Sequence, residues 1–197
     1  MSIGRTTPHQ RLLTVDDLER MPDDGNRYEL VDGRLDVSPS PATRHTLIQN
    51  LLVTHIGLTA IRQGYVALTD PGITFNADRT HHRRPDVAVV RTQDIEHPNL
   101  TRPPVLAVEV VSPSSTHRDY WIKRREYADF GIESYWIISP SPDKTGLLEL
   151  RLEDGEYHEV TQVYGEEVFE TDTPFPIKLV PQWLVADGAW TEHIGGE

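Results

Sequence analysis

The sequence contains no cysteine. Disulfide staples and thiolate metal sites are therefore excluded, and a reducing compartment suits the chain. It has no apolar run long enough to cross a bilayer, and Met1-Ser2-Ile3-Gly4-Arg5 carries no apolar signal core. A cytoplasmic protein without membrane contact is expected. Positive charge is scarce: 19 Lys and Arg stand against 31 Asp and Glu, for a formal net charge of -12. Non-specific affinity for nucleic acid comes mainly from cations on phosphates, so a general basic field is excluded and any such contact should be weak and local. No repeat, low-complexity segment or linker divides the chain. At 197 residues it is expected to form one domain over 1–197, with 1–13 as a flexible tail.

What is present is a series of short strands interleaved with helices. Thr14 and Asp17 are spaced as a capping box opening a helix from Val15 to Arg20. Asp32-Gly33, between Arg27–Val31 and Arg34–Val37, signals a hairpin. Glu29 alternates with apolar Tyr28 and Leu30, and from spacing alone reads as an exposed strand carboxylate. Ser40 and Pro41 read as the cap and first position of a helix over about Ala42–Arg62. Its apolar stripe is Leu47, Ile48, Leu51, Leu52, Ile56 and Ile61. His45 falls in its first turn, where a lone histidine is more often a capping or surface residue than a catalytic one. A helix from His117 to Phe130, closed by Gly131, precedes a buried strand Glu133–Ser139. A second hairpin turns at Asp154-Gly155, a short strand runs Glu167–Glu170, and the proline-rich segment from Pro174 to Pro181 reads as a surface return.

Two acids break otherwise apolar strands: Asp86 in Pro85–Val90 and Glu109 in Leu106–Val111. A buried carboxylate without a partner is costly. Two on neighbouring strands imply a cation between them, and their hard oxygens suit Mg²⁺ or Mn²⁺. A main-chain carbonyl near Val110 and waters would complete the ligand set. Lys123, on the following helix, offers a point charge for a phosphoryl transition state. Asp119, Lys123 and Tyr127 share one side of that helix, and Asp119 alone reads as an ion-pair partner. Two basic clusters, His81-His82-Arg83-Arg84 and Lys123-Arg124-Arg125, flank the acids. Solvated surface charge and local phosphate contact are both open for them.

The set Pro85-Asp86, Val108-Glu109-Val110, Ser112-Pro113-Ser114-Ser115-Thr116, Lys123, Tyr127-Ala128 and Gly131 to Ile138 resembles the Uma-two family of restriction endonucleases, within the PD-(D/E)XK superfamily. Arg27-Tyr28-Glu29-Leu30-Val31-Asp32-Gly33 and His45 extend the resemblance, which covers roughly Thr14 to Leu184. It implies an α/β fold: a restriction-endonuclease-like core, a mixed sheet flanked by helices, here with additional β-hairpins. It also implies Mg²⁺- or Mn²⁺-dependent hydrolysis of DNA phosphodiesters, with a homodimer as a candidate assembly. It maps the motif acids to Asp86 and Glu109 and carries over Glu29 and His45 as further site residues. The superfamily's lysine usually lies two residues beyond the second acid; Val111 stands there, and Lys123 is the replacement. The rival readings are a nuclease-fold binding or assembly module without catalysis, and a metal-dependent esterase of small phosphoesters.

Overall fold

The computed structural model describes residues 11–141 and 143–185. In chain order the elements are α1 (Val15–Leu18), β1 (Arg27–Val31), β2 (Arg34–Ser38), α2 (Thr43–Arg62), β3 (Tyr65–Thr69), β4 (Ile73–Thr74), β5 (His82–Arg83), β6 (Val87–Arg91) and β7 (Leu106–Val110). A π-helical turn (Arg118–Ile122) then runs into α3 (Lys123–Phe130), followed by β8 (Ser134–Ser139), β9 (Gly146–Glu153), β10 (Glu156–Tyr164), β11 (Phe169–Thr171) and β12 (Ile177–Leu179). The backbone gathers into two compact units. Among the described residues, one takes 11–40 with Thr74–Arg83; the other takes Pro41–Ile73 with 84–141 and 143–185.

The first unit is built on the β1–β2 hairpin, paired from Arg27↔Ser38 to Val31↔Arg34. Asp32 and Gly33 both take positive φ, 49° and 73°, the turn whose twist matches antiparallel strands. Gly33 has a second reason to be glycine: a Cβ there would sit 2.5 Å from the Leu12 Cβ. β5 joins the other edge of β1, giving the sheet order β2-β1-β5-β4, where β4 carries the chain between the units. The capping box forms, with Asp17 accepting the Thr14 N–H at 2.9 Å, but α1 stops at Leu18. Of the expected tail, residues 1–10 lie outside the described residues. Arg11 pairs with Asp17 and Leu13 donates to the Gly33 carbonyl at 2.9 Å, so ordered structure begins before Thr14.

Glu29 is buried rather than exposed. The face opposite Tyr28 and Leu30 is covered, and Arg83 Nη1 meets Glu29 at 3.0 Å and Asp36 at 3.2 Å there. Ser40 does not cap α2; its hydroxyl donates to the Gly25 carbonyl, and α2 starts after Ala42 without a side-chain cap.

The second unit holds a six-stranded mixed sheet, β10-β9-β8-β7-β6-β3. Among the described pairings of this sheet only β7–β8 is parallel, and the segment carrying the π-helical turn and α3 makes the crossover between them. α2 packs through Ile48, Leu52, Ile56 and Ala60 against Val87, Val89, Leu106, Val108 and Trp136. The buried line is a strict i, i+4 series, narrower than the expected stripe: Leu47 and Ile61 face outward. Gly131 closes α3 in the left-handed region at φ 92°, as expected of a C-terminal glycine. The proline-rich return contains β12, which pairs with β11. A 3₁₀ turn follows over Pro181–Leu184. The architecture is a mixed α/β fold with additional hairpins.

Candidate active site

Asp86 stands at the entrance to β6, and Glu109 lies in β7, every residue of which is buried. The strands pair antiparallel with Val87 opposite Val108. Asp86 precedes Val87 and Glu109 follows Val108, so the two acids flank the end of this pairing, close enough for Asp86 to raise the Glu109 carboxyl. Both acids are buried.

Each acid is held from a different helix. On the α2 side, Gln49 Nε2 donates to Asp86 Oδ1 at 3.2 Å and to its carbonyl at 3.1 Å. His45, one turn earlier, brings Nε2 to 2.9 Å from the same Oδ1, at a distance but not an angle suited to a hydrogen bond. The Val110 N–H donates to Asp86 Oδ2 at 2.7 Å. On the other side, Lys123 Nζ donates to Glu109 Oε1 at 2.7 Å, and the Tyr127 hydroxyl donates to the same oxygen at 2.6 Å. Asp119 completes the group, with Oδ1 3.8 Å from Lys123 Nζ.

The expected helix from His117 is interrupted where this matters. The Lys123 N–H donates five residues back to the Arg118 carbonyl, and the Asp119 carbonyl instead accepts the Tyr135 hydroxyl at 2.8 Å. Tyr135 competes for a carbonyl that an α-helix would use internally, and a wider turn results.

The electrostatics follow from counting charges in a dry place. The Lys123 ammonium lies 2.7 Å from Glu109 and 3.8 Å from Asp119, and the partly buried Arg118 guanidinium lies 3.9 Å from the same Asp119 oxygen. Burial pushes Glu109 up to about 8; Lys123 opposes this, while Asp86 and Asp119 reinforce it. Burial also raises the Asp119 carboxyl, with Lys123 offsetting only part of the effect. A cation bound beside the buried carboxyl would favour its ionised form. The donors are hard oxygens, so the site fits Mg²⁺ or Mn²⁺ in chemistry. Among the described residues, no three His, Asp or Glu side chains converge as a ready-made cage. Asp86 and Glu109 would then be the protein anchors, as suits an ion that keeps most of its waters.

His45, Asp86, Glu109 and Lys123 therefore come together, with Val110 contributing its N–H. Glu29 lies in the first unit, paired with Arg83. The basic clusters are not free patches. Arg83 is buried on two acids, Arg84 pairs with Asp70, Lys123 with Glu109, and Arg124 donates to the Tyr157 carbonyl at 2.7 Å. Arg125 is exposed, 3.7 Å from Asp129. In a chain with this excess of acid, most cations find an internal partner. A cleft of about 400 Å³ beside α3, lined by Trp121, Arg124, Arg125 and Tyr157 among others, includes none of the site's side chains.

Asp119, Tyr127 and Gln49 are the members that sequence reasoning passed over or left as packing. Their signal was helical spacing: Asp119, Lys123 and Tyr127 recur every four residues, and Gln49 follows His45 by four.

No curated protein matches the chain. Among solved structures, it is similar to a crystal structure described as "a putative nuclease belonging to DUF820" from Anabaena variabilis, with a TM-score of 0.62 and 18% identity over 81% of this chain and 89% of that one. At that identity the likeness speaks for the fold. The family model Uma2, described as "Putative restriction endonuclease", matches residues 15–184, and on that span the chain belongs to the Uma2 family.

Proposed function

We propose that the second unit is a divalent-metal-dependent endonuclease acting on DNA in the cytoplasm. The observation that carries this reading is the buried Asp86–Glu109–Lys123 cluster, in which two strand acids meet a helix lysine. Asp86 and Glu109 would hold the cation, which supplies Lewis-acid activation of water and of a phosphoryl oxygen. Val110 and Gln49 fix the Asp86 carboxylate, and Tyr127 fixes Glu109, so neither reorganises as charge develops. Water attacks phosphorus in line while the bond to the leaving oxygen breaks. The Lys123 ammonium stabilises the extra negative charge on the equatorial oxygens. His45, beside Asp86 and only partly buried, contacts the phosphate or the attacking water. Glu29 enters as a further acid suggested by the family pattern, and Glu29→Gln tests it directly.

The test is incubation of the protein with duplex and single-stranded DNA in Mg²⁺ or Mn²⁺, beside Asp86→Asn. Metal-dependent cleavage lost in Asp86→Asn is expected. Metal binding with no cleavage of any DNA overturns the reading. The internal engagement of Arg83 and Arg84 favours one alternative, an esterase of small phosphoesters, since few cations remain to track a long duplex. Turnover of a small aryl phosphodiester, with DNA untouched, would select it.

A further inference from the structure

Asp119 is buried, yet its Oδ1 accepts no hydrogen bond. An unsatisfied buried carboxylate oxygen is destabilising, and native structures seldom keep one without a use. The nearest cation, Lys123 Nζ, stays 3.8 Å away because it sits 2.7 Å from Glu109 Oε1. The π-helical turn carries Asp119, and the Tyr135 hydroxyl on its carbonyl holds that turn open. If Asp119 served only to pair with Lys123 in the resting protein, direct contact would be the better arrangement. It is instead held just beyond contact.

Glu109 supplies the other half. Its Oε1 already receives both Lys123 and Tyr127. A divalent cation on Glu109 would bring a double positive charge close to the ammonium, and like charges at such range in a dry site repel strongly. The ammonium must then move, and a buried ammonium without an anion is expensive. Asp119 Oδ1, which accepts no hydrogen bond and has Arg118 Nε no nearer than 3.9 Å, lies within reach of a small rotation of the lysine side chain.

We propose that Asp119 is a positioning residue: its Oδ1 is the second seat of the Lys123 ammonium, taken up when Glu109 passes to a divalent cation. Lys123 thus has two positions, one neutralising Glu109 in the cation-free protein and one beside the cation, held by Asp119 with its remaining donors turned toward a phosphate. This rests on the nuclease reading for its purpose, but its test reads the lysine and the cation rather than cleavage.

The chain has three lysines, Lys123, Lys144 and Lys178, so ¹⁵N labelling of lysine side chains gives a spectrum simple enough to assign by Lys123→Met. Titration of the wild-type protein with Mg²⁺ alone is expected to move the Lys123 Nζ resonance and leave Lys144 and Lys178 in place. Calorimetric Mg²⁺ affinities then form a double-mutant cycle of Asp119→Asn and Lys123→Met. Asp119→Asn should weaken Mg²⁺ binding by roughly tenfold in the wild-type background and by less than about twofold beside Lys123→Met, because the aspartate acts through the lysine. An equal loss in both backgrounds makes Asp119 a direct ligand or a general electrostatic term and overturns the proposal. So does a Lys123 resonance that stays fixed at Mg²⁺ saturation, a result needing no variant to fold. A moving lysine in a protein that cuts no DNA upholds the two-seat arrangement and removes the nuclease reading; a fixed lysine in an active nuclease does the reverse. Absence of Mg²⁺ binding overturns the proposal.

Discussion

The two units each bury a cation among acids, and they settle the charge differently. In the first, Arg83 lies between Glu29 and Asp36, at 3.0 and 3.2 Å, and none of these three residues has a buried side-chain atom without a partner. In the second, Lys123 lies 2.7 Å from Glu109 and 3.8 Å from Asp119, and Asp119 Oδ1, with Arg118 Nε a further 3.9 Å contact, accepts no hydrogen bond. The choice of cation matches. A guanidinium is a fork that can serve two carboxylates in one fixed arrangement, whereas an ammonium is a point charge on a flexible stem that can change partner. The balanced cluster behaves as structure. The second cluster holds the Glu109 carboxyl above its usual range, chiefly because it is buried.

The largest effect should come from breaking the balanced cluster. Arg83→Met leaves two carboxylates facing each other without their cation and is expected to cost about 3–5 kcal/mol of stability, read by urea unfolding. An Arg83 variant as stable as wild type would mean the first unit tolerates two buried carboxylates without their cation. Surface charge and phosphate contact were both open for Arg83 in the sequence, and it is buried instead.

Next comes the unbalanced cluster. Glu109→Gln relieves repulsion and should leave the fold intact, while metal-dependent turnover falls by at least about a hundredfold, the scale of losing one preorganised charged group. Single-turnover cleavage at saturating metal measures it. Unchanged turnover would reduce Glu109 to a structural acid.

A smaller effect separates the clusters by pH. A carboxyl whose pKa is higher folded than unfolded binds its proton more tightly in the native state. Its contribution to stability is therefore full below the ordinary glutamate value of 4.5 and is lost as pH rises towards 8. Metal-free wild type should lose stability relative to Glu109→Gln over that window, and Mg²⁺ should flatten the decline. Parallel stability profiles for the two proteins would remove the electrostatic argument.

The smallest effect lies at the edge of the first unit. Arg11 and the Thr14 N–H hold the Asp17 carboxyl well below its usual 3.8. Its contribution is present above that value and fades as pH falls through and below it. Asp17→Asn should lower the melting temperature slightly at neutral pH and not at all in strong acid. An equal drop at both would assign the effect to something other than the charge.

The elements of this fold were legible in the sequence because their causes are local. Asp32-Gly33 sets a hairpin turn from two residues, Gly131 ends a helix from one, and apolar runs around Asp86 and Glu109 mark buried strands. The set Asp86, Glu109, Lys123 and His45 could be named from strand context and family resemblance. What could not be read were contacts that depend on how layers meet. Glu29 and Arg83 looked like surface charges, yet each is buried by the other, across 54 positions of sequence. Leu47 and Ile61 fit a helical stripe as well as Ile48 does, and only the sheet beneath α2 decides that it is too narrow to cover them. Asp119 read as half of an exposed helix pair. The Tyr135 hydroxyl, reaching from a strand sixteen residues later, opens the turn that buries it with an oxygen unpaired. Sequence determines what a residue can offer within one or two turns of its own chain. Which charges share a dry space, and which of them go unpaired, is decided by tertiary packing, because burial makes those charges strong.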